Sequence, residues 1–131
     1  MRGGTGAFPK VDFAPMEVQV FGTKKCPDTR KALRFFAERR VKTHFVDLNE
    51  RAASLGELTR FAQKFGVGAL IDTAGKRFAA LGLATARYSD ERWLDRLVEE
   101  PMLLKTPLVR WQNKLTIGPS EEAWTGWVVA A

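Results

Sequence analysis

The segment from residue 17 to residue 48 carries two different periodicities, and this pattern constrains the fold more than any other feature. Residues 17–21 alternate polar and apolar side chains as a strand does, and residues 42–48 alternate in the same way. Between them, apolar residues at helical spacing share one face: Ala32, Leu33, Phe36 and Ala37. Two strands separated by a helix within about thirty residues predict a βαβ unit with parallel strands and a right-handed crossover.

A run of helices is predicted after this unit, over residues of about 54–99. Ser54 and Glu57 have the spacing of a helix capping box, and Ser89 is placed to cap a further helix. Between these two helices, residues 69–87 give only short helical pieces around a glycine-containing turn. We therefore expect a helical block rather than additional strands in the middle of the chain.

The C-terminal part of the sequence predicts a hairpin and a closing helix. Residues 108–111 and 114–117 flank a two-residue turn, and a last helical pattern follows Ser120. A parallel unit followed by a hairpin and a helix is the thioredoxin-like arrangement. We therefore expect an α/β, thioredoxin-like fold with a four-stranded mixed sheet, helices on both faces and a helical insertion at about 54–99.

Length and composition set the expected domain organisation. The chain has 131 residues, of which 45% are hydrophobic and 27% charged, so we expect one soluble domain over residues 16–131. Residues 1–15 are rich in glycine and contain Pro9 and Pro15, which predicts a flexible N-terminal extension. No apolar run approaches the ~18 residues that span a bilayer, so we expect no membrane association.

Charge and metal-binding residues limit the expected partners. The net charge of +6 is spread along the chain with no long basic run, so we do not expect a nucleic-acid partner. Trp111, Trp124 and Trp127 could form a base-stacking surface, but their spacing favours the core. A single cysteine, Cys26, and a single histidine, His44, predict neither a metal site nor an internal disulfide. An unpaired thiol fits the reducing cytoplasm.

Cys26 lies between the first strand and the first helix, where unpaired backbone N–H groups and the helix dipole favour a thiolate. Lys24 and Lys25 add positive charge, and Arg30, one helical turn on, is expected to reach back over the sulfur. Thr29 is placed to donate its hydroxyl to the sulfur or to a bound anion. The same cradle suits a tetrahedral oxyanion. The alternative is that Cys26 is an inert, buried side chain, which its polar neighbours disfavour.

Several separated segments resemble the arsenate reductase (ArsC)/Spx family. In chain order they are VQVFGTKKC followed by TRKA at residues 18–32, LGL at 81–83, EPMLLKTPLV at 100–109 and LTIG at 115–118. The matches cover residues 17–127 and are more specific together than a cysteine and an arginine at fixed spacing. The chain is most similar to the uncharacterised, arsenate reductase-related members of the family.

This resemblance implies a thioredoxin-like fold with Cys26 as the nucleophile and Arg30 as its thiolate and oxyanion partner. In ArsC-type enzymes the cysteine attacks arsenate, glutathione attacks the adduct, and glutaredoxin resolves the mixed disulfide. No bound cofactor is implied, and glutathione or glutaredoxin is the expected external reductant. Thr106–Pro107 falls where the family carries a cis-proline, the alternative being a trans proline at the start of an edge strand. Four residues are implied to bind the oxyanion or thiol: Lys25, Thr29, Thr106 and Pro107.

The chain also departs from the family's pattern. Gly22 stands where ArsC enzymes carry a histidine, Thr106 where they carry an arginine, and Asp72 about where they carry another. Thr29 replaces the second cysteine of the Spx redox switch, so that switch is absent. Three cations are candidates to replace the missing arginines: Arg77, Lys105 and Arg110.

The function that follows is an arsenate reductase-like, glutathione-linked thiol oxidoreductase with a single nucleophilic cysteine. We expect it to act in the cytoplasm on a small oxyanion or thiol substrate, with glutaredoxin as a protein partner. The alternative is a non-catalytic, Spx-like regulatory protein that binds RNA polymerase or another protein. The missing arginines favour this alternative, whereas the missing second cysteine counts against its redox-regulated form.

Overall fold

The computed structural model describes residues 16–131 of the chain, so the predicted extension at residues 1–15 lies outside the described residues. The first strand, β1, is Glu17–Gly22, helix α1 is Pro27–Glu38, and the second strand, β2, is Lys42–Asp47. Strands β1 and β2 are parallel, with Val20 opposite Phe45. The predicted βαβ unit is therefore confirmed.

The predicted hairpin is formed by β3, Leu108–Trp111, and β4, Lys114–Ile117. Strand β3 pairs antiparallel with β1 on one side and with β4 on the other, so that the order across the sheet is β2-β1-β3-β4. This mixed four-stranded sheet, with its helices on both faces, has the thioredoxin-like fold. Its central strand, β1, ends directly before the loop that carries Cys26.

The helical insertion between β2 and β3 contains α2 at Leu55–Phe65, α3 at Lys76–Ala80 and α4 at Asp90–Glu99. Helix α2 begins at the predicted capping box, because the Ser54 hydroxyl accepts from the Glu57 N–H and the Glu57 carboxylate accepts from the Ser54 N–H. The region that the sequence left ambiguous contains short 3-10 helices and α3. Three 3-10 helices occur within the described residues: Val67–Leu70, Leu83–Thr85 and Pro101–Leu103.

Two apolar clusters cover the two faces of the sheet. On one face Phe21 and Leu108 pack with α2 and α4, whose Leu58, Phe61 and Leu97 are buried. On the other face the buried residues come from β1, β3, α1 and the last helix, α5 (Glu121–Ala130). Hydrophobic burial of this kind on both faces fixes the sheet between its helices.

The three tryptophans of the C-terminal part lie in the second cluster, as their spacing predicted. Trp124 is fully buried against Phe36, and its Nε1–H donates to the Thr116 hydroxyl at 2.8 Å. Trp111 and Trp127 are 7% and 8% exposed. The alternative of a tryptophan surface for base stacking is therefore wrong, because such a surface needs exposed rings.

A pair of backbone hydrogen bonds links the insertion to the segment that leads into β3. The Asp72 N–H donates to the Leu103 carbonyl and the Lys105 N–H donates to the Leu70 carbonyl, each at 2.8 Å. The Thr106–Pro107 peptide that follows is cis, so the trans alternative is wrong. None of the helices in the described part of the chain is long and apolar enough to cross a membrane.

Candidate active site

Cys26 is the residue that precedes the first turn of α1. Its backbone is extended (φ −77°, ψ 118°), and Pro27 occupies the first helical turn, where its missing N–H leaves no bond unmade. The Cys26 side chain accepts no capping hydrogen bond of the kind that serine or aspartate makes at this position. Its sulfur is partly exposed at the helix N-terminus, where the helix dipole favours negative charge.

Thr106 supplies the clearest contact to the sulfur. Its hydroxyl donates to Cys26 Sγ at 3.2 Å, across 80 positions of the sequence. The Thr106 carbonyl lies 4.0 Å from the same sulfur, at the limit for a weak bond from a protonated thiol. Pro107 is buried directly behind Thr106. Thr106 therefore fits a thiolate as a donor and a thiol as an acceptor.

Thr29 lies beneath the cysteine in the first turn of α1 and is fully buried. Its hydroxyl has no hydrogen-bond partner of normal geometry among residues 16–131, yet it lies near enough to Cys26 to affect the acidity of the thiol. Gly22 closes the space on the other side, because a β-carbon at position 22 would lie 2.6 Å from Thr29 Cγ2. The threonine is held in place by this packing.

The surroundings of Cys26 lower the pKa of its thiol. Partial burial by itself raises the pKa, because it disfavours the charged thiolate. The hydroxyls of Thr106 and Thr29 and the backbone N–H groups of Thr29 and Asp28 act in the opposite direction and outweigh it. The pKa of Cys26 is therefore lower than that of an ordinary cysteine, which increases the fraction of nucleophilic thiolate at neutral pH.

Arg30 and Lys25, two cations predicted to act at Cys26, occupy different positions relative to the sulfur. Arg30 Nη1 donates to the Lys24 carbonyl at 2.8 Å, so its guanidinium braces the loop before the cysteine. Arg30 is exposed and is not among the groups that lower the pKa of Cys26. Its action on the sulfur stays a prediction. Lys25 is exposed and lines the cavity into which Cys26 opens.

This cavity, which we call the Cys26 cavity, has a volume of about 910 Å³. The turn before α3 and α3 itself contribute Asp72, Lys76 and Arg77 to its lining, and the loop before α1 contributes Lys25. Arg77 Nη2 lies 2.7 Å from Glu100 Oε1, so its charge is partly neutralised. The remaining lining residues are uncharged: Thr23, Pro27, Gly75, Ala80 and Met102.

Of the three cations considered as replacements for the missing family arginines, only Arg77 lines the Cys26 cavity. Lys105 and Arg110 line separate depressions beside α2. Lys76 was not predicted as a site residue, although the basic pair Lys76–Arg77 directly after Gly75 could have indicated it. Among residues 16–131, no three His, Cys, Asp or Glu side chains lie together in a way that could hold a metal ion.

The fold and this site define a thioredoxin-like protein whose cysteine lies at the N-terminus of the first helix, beside a cis-proline segment. Similarity to known protein families defines the class of protein more narrowly than the fold does. Residues 21–126 match the ArsC family, and the chain therefore belongs to that family.

Individual relatives span most of the chain. An arsenate reductase from Neisseria meningitidis is 24% identical over 78% of this chain and 90% of its own length. The global transcriptional regulator Spx 2 from Oceanobacillus iheyensis is 28% identical over 82% of this chain and 80% of its own. The structure of an arsenate reductase from Vibrio cholerae superimposes with a TM-score of 0.76 at 22% identity, covering 86% of this chain and 98% of that protein.

Proposed function

We propose that the protein is a thiol-dependent reductase of the arsenate reductase-like type, with Cys26 as its single nucleophile and glutathione as its reductant. The environment of Cys26 supports this function. The Thr106 hydroxyl at 3.2 Å and the N-terminal N–H groups of α1 stabilise a thiolate that opens directly into the Cys26 cavity. Glutaredoxin and the cytoplasm are the partner and compartment that fit such a thiol.

With a disulfide substrate, the Cys26 thiolate attacks one sulfur of a glutathione mixed disulfide. A bond forms between Cys26 and the glutathione sulfur, and the original S–S bond breaks to release the other thiolate. A second glutathione then attacks the glutathione sulfur bound to Cys26. This step yields glutathione disulfide and restores the Cys26 thiolate.

With arsenate, attack by Cys26 forms an S–As bond and releases hydroxide. Glutathione then attacks the Cys26 sulfur, the S–As bond breaks with its electron pair on arsenic, and arsenite leaves. The resulting mixed disulfide between Cys26 and glutathione is reduced by glutaredoxin or by another glutathione. Thr106 donates to the sulfur when it carries negative charge, and the Thr29 hydroxyl lies near enough to stabilise the same charge.

The shape and charge of the Cys26 cavity favour the disulfide over arsenate as substrate. A volume of about 910 Å³ is within the range that holds a molecule of peptide size and far exceeds a tetrahedral oxyanion. Lys25 and Lys76 can each pair with one carboxylate of a peptide thiol. Among residues 16–131, Arg77 is the only arginine that lines the cavity, and its partner Glu100 reduces its value as a bidentate oxyanion clamp.

The test is NADPH consumption in the presence of glutathione and glutathione reductase, with bis(2-hydroxyethyl) disulfide as substrate and glutaredoxin left out, or with arsenate as substrate and glutaredoxin present. We expect turnover of the disulfide and a fall of at least about a thousandfold in Cys26→Ser. Thr125→Ser, on the exposed side of α5, is the control and should keep wild-type turnover. Equal turnover by Cys26→Ser, or none by the wild type with either substrate, would sink the proposal.

The second candidate function is Spx-like regulation through binding of RNA polymerase. The similarity to Spx 2 over most of both chains supports it. Because Thr29 stands where a second cysteine would be needed, such binding would not be switched by an internal disulfide. Binding of purified RNA polymerase by the wild type and equally by Cys26→Ser, without turnover, would favour this function over the reductase.

A further inference from the structure

Two neighbouring depressions form one groove between α2 and the β3–β4 hairpin. They have volumes of about 420 and 360 Å³ and share Lys64 and Leu115 in their walls. No residue that lines them also lines the Cys26 cavity. We call this feature the α2 groove and define it by six residues: Arg60, Lys64, Phe65, Lys105, Arg110 and Leu115.

The charge of the α2 groove has one sign. Arg60, Lys64 and Lys105 are exposed and Arg110 is half-buried, and no acidic residue in the described part of the chain lines the groove. None of the four cations forms an ion pair with a carboxylate of residues 16–131. The depression on the other side of Arg110 contains Glu17, but that carboxylate already bonds His44 at 2.7 Å.

The floor of the groove is apolar. Leu115 belongs to the core on the α2 side of the sheet, and Ile117 packs against the same core. Phe65, at the end of α2, is 40% exposed, and Lys64 Nζ lies 5.4 Å from the centre of its ring. A ligand in this groove would therefore meet aliphatic side chains below and positive charge at the rim.

We propose that the α2 groove binds an acidic segment of a partner protein that also carries apolar side chains. Carboxylates of the segment would pair with the cations at the rim, while its apolar side chains cover Leu115 and Phe65. The amides of Gln63, Gln112 and Asn113 line the same groove and suit the backbone of an extended peptide. A nucleic acid fits less well, because Phe65 is the one aromatic ring that residues 16–131 contribute to the groove for stacking.

The test uses a fluorescein-labelled peptide of about a dozen residues in which glutamate alternates irregularly with leucine and phenylalanine, followed by fluorescence anisotropy with the full chain. We expect saturable binding and an affinity loss of about tenfold in the double variant Arg60→Glu, Lys64→Glu. The matched control is Lys31→Glu, Arg34→Glu, which makes the same change in net charge on exposed positions of α1. The control should bind within about twofold of the wild type.

A second variant, Phe65→Ser, distinguishes peptide binding in the α2 groove from binding by positive surface charge alone. Because Phe65 is partly exposed at a helix end, the fold should survive, and we expect several-fold weaker peptide binding. Circular dichroism of each variant checks that it is folded. Three results would overturn the proposal: no binding by the wild type, equal losses in the two double variants, or tighter binding of a single-stranded oligonucleotide of equal charge. None of these readouts depends on the chemistry of Cys26.

Discussion

Gly22 and Thr29 fit against each other across the loop that carries Cys26. A β-carbon at position 22 would lie 2.6 Å from Thr29 Cγ2 and closer still to Thr29 Oγ1, so the glycine leaves the space that the threonine fills. Gly22 ends β1 and Thr29 lies in the first turn of α1. This contact therefore sets how closely the helix N-terminus approaches the central strand.

Replacing Gly22 by alanine should destabilise the protein by about 1–3 kcal/mol, because the added methyl group overlaps a fully buried side chain. Urea unfolding of the variant measures this free energy. The loss should be smaller by about 1 kcal/mol when Thr29→Ala is already present, because the two nearest atoms, Thr29 Oγ1 and Cγ2, are then gone.

The control for this coupling is Gly56→Ala in the same two backgrounds, since a β-carbon at Gly56 meets nothing within 4 Å. Gly56 lies in α2, where alanine is the better helix former, so this change should be neutral or stabilising. Additive effects of Gly22→Ala and Thr29→Ala would contradict the contact.

Thr106→Val should raise the pKa of Cys26, because it removes the hydroxyl that stabilises the thiolate and keeps the side-chain shape. A higher pKa means less thiolate at neutral pH, so alkylation by iodoacetamide should slow and its pH profile should move to higher pH. Thr125→Val, at an exposed position of α5, should leave the profile unchanged. A profile that does not move in Thr106→Val would exclude this hydroxyl as a cause of the acidity.

Arg30→Ala should raise the pKa of Cys26 less than Thr106→Val does. The Arg30 guanidinium is exposed and donates to the Lys24 carbonyl, so any effect of its charge on the sulfur should act through solvent. Alkylation profiles at low and high salt test this, since the effect of an exposed charge should shrink as salt rises. An effect larger than that of Thr106→Val would mean that Arg30 contacts the sulfur directly in solution.

Glu57→Ala should destabilise the protein by about 0.5–1 kcal/mol near pH 7, since the carboxylate closes the capping box and pairs with Arg51 at 3.1 Å. Burial raises the pKa of Glu57, but the hydrogen bonds from Arg51 and Ser54 lower it by more than burial raises it. The pKa of Glu57 in the folded protein is therefore below its unfolded value. This stabilisation is present above the unfolded pKa and is lost as pH falls through the folded pKa.

Urea unfolding near pH 7 and near pH 3 measures this pH dependence. The difference in free energy of unfolding between wild type and Glu57→Ala should be smaller near pH 3 than near pH 7. Glu50→Ala is the control, because Glu50 is exposed and forms no ion pair with residues 16–131. A difference that stays constant with pH would show that the carboxylate's charge is not involved.

The fold was predictable to the extent that its signals are local. Alternation in β1 and β2, the capping box at Ser54 and the two-residue turn at Gln112–Asn113 each depend on neighbours in the sequence, and the structure confirms all of them. The middle of the insertion was not predictable in detail. Lys76–Ala80 is a helix of only five residues with no side-chain cap, so local propensity does not define it.

The site was predictable only in part, for the same reason. Cys26 and Thr29 follow from their place at the start of a helix. The direction of the Arg30 side chain does not, because this long, flexible side chain donates to the Lys24 carbonyl rather than to the sulfur. The wall of the Cys26 cavity, with Asp72 and Lys76, forms only when the insertion folds against the segment before β3.

Cys26 and Thr106 are 80 positions apart, and their hydrogen bond exists only when β3 lies beside β1. The alkylation rate of Cys26 therefore depends on whether these two distant segments are in contact, as they are in the folded protein. In denaturant the cysteine should behave as a free thiol, so its alkylation rate at fixed pH should change with the fraction of unfolded protein. The residue proposed as the nucleophile thus doubles as a reporter of long-range folding that needs no added dye.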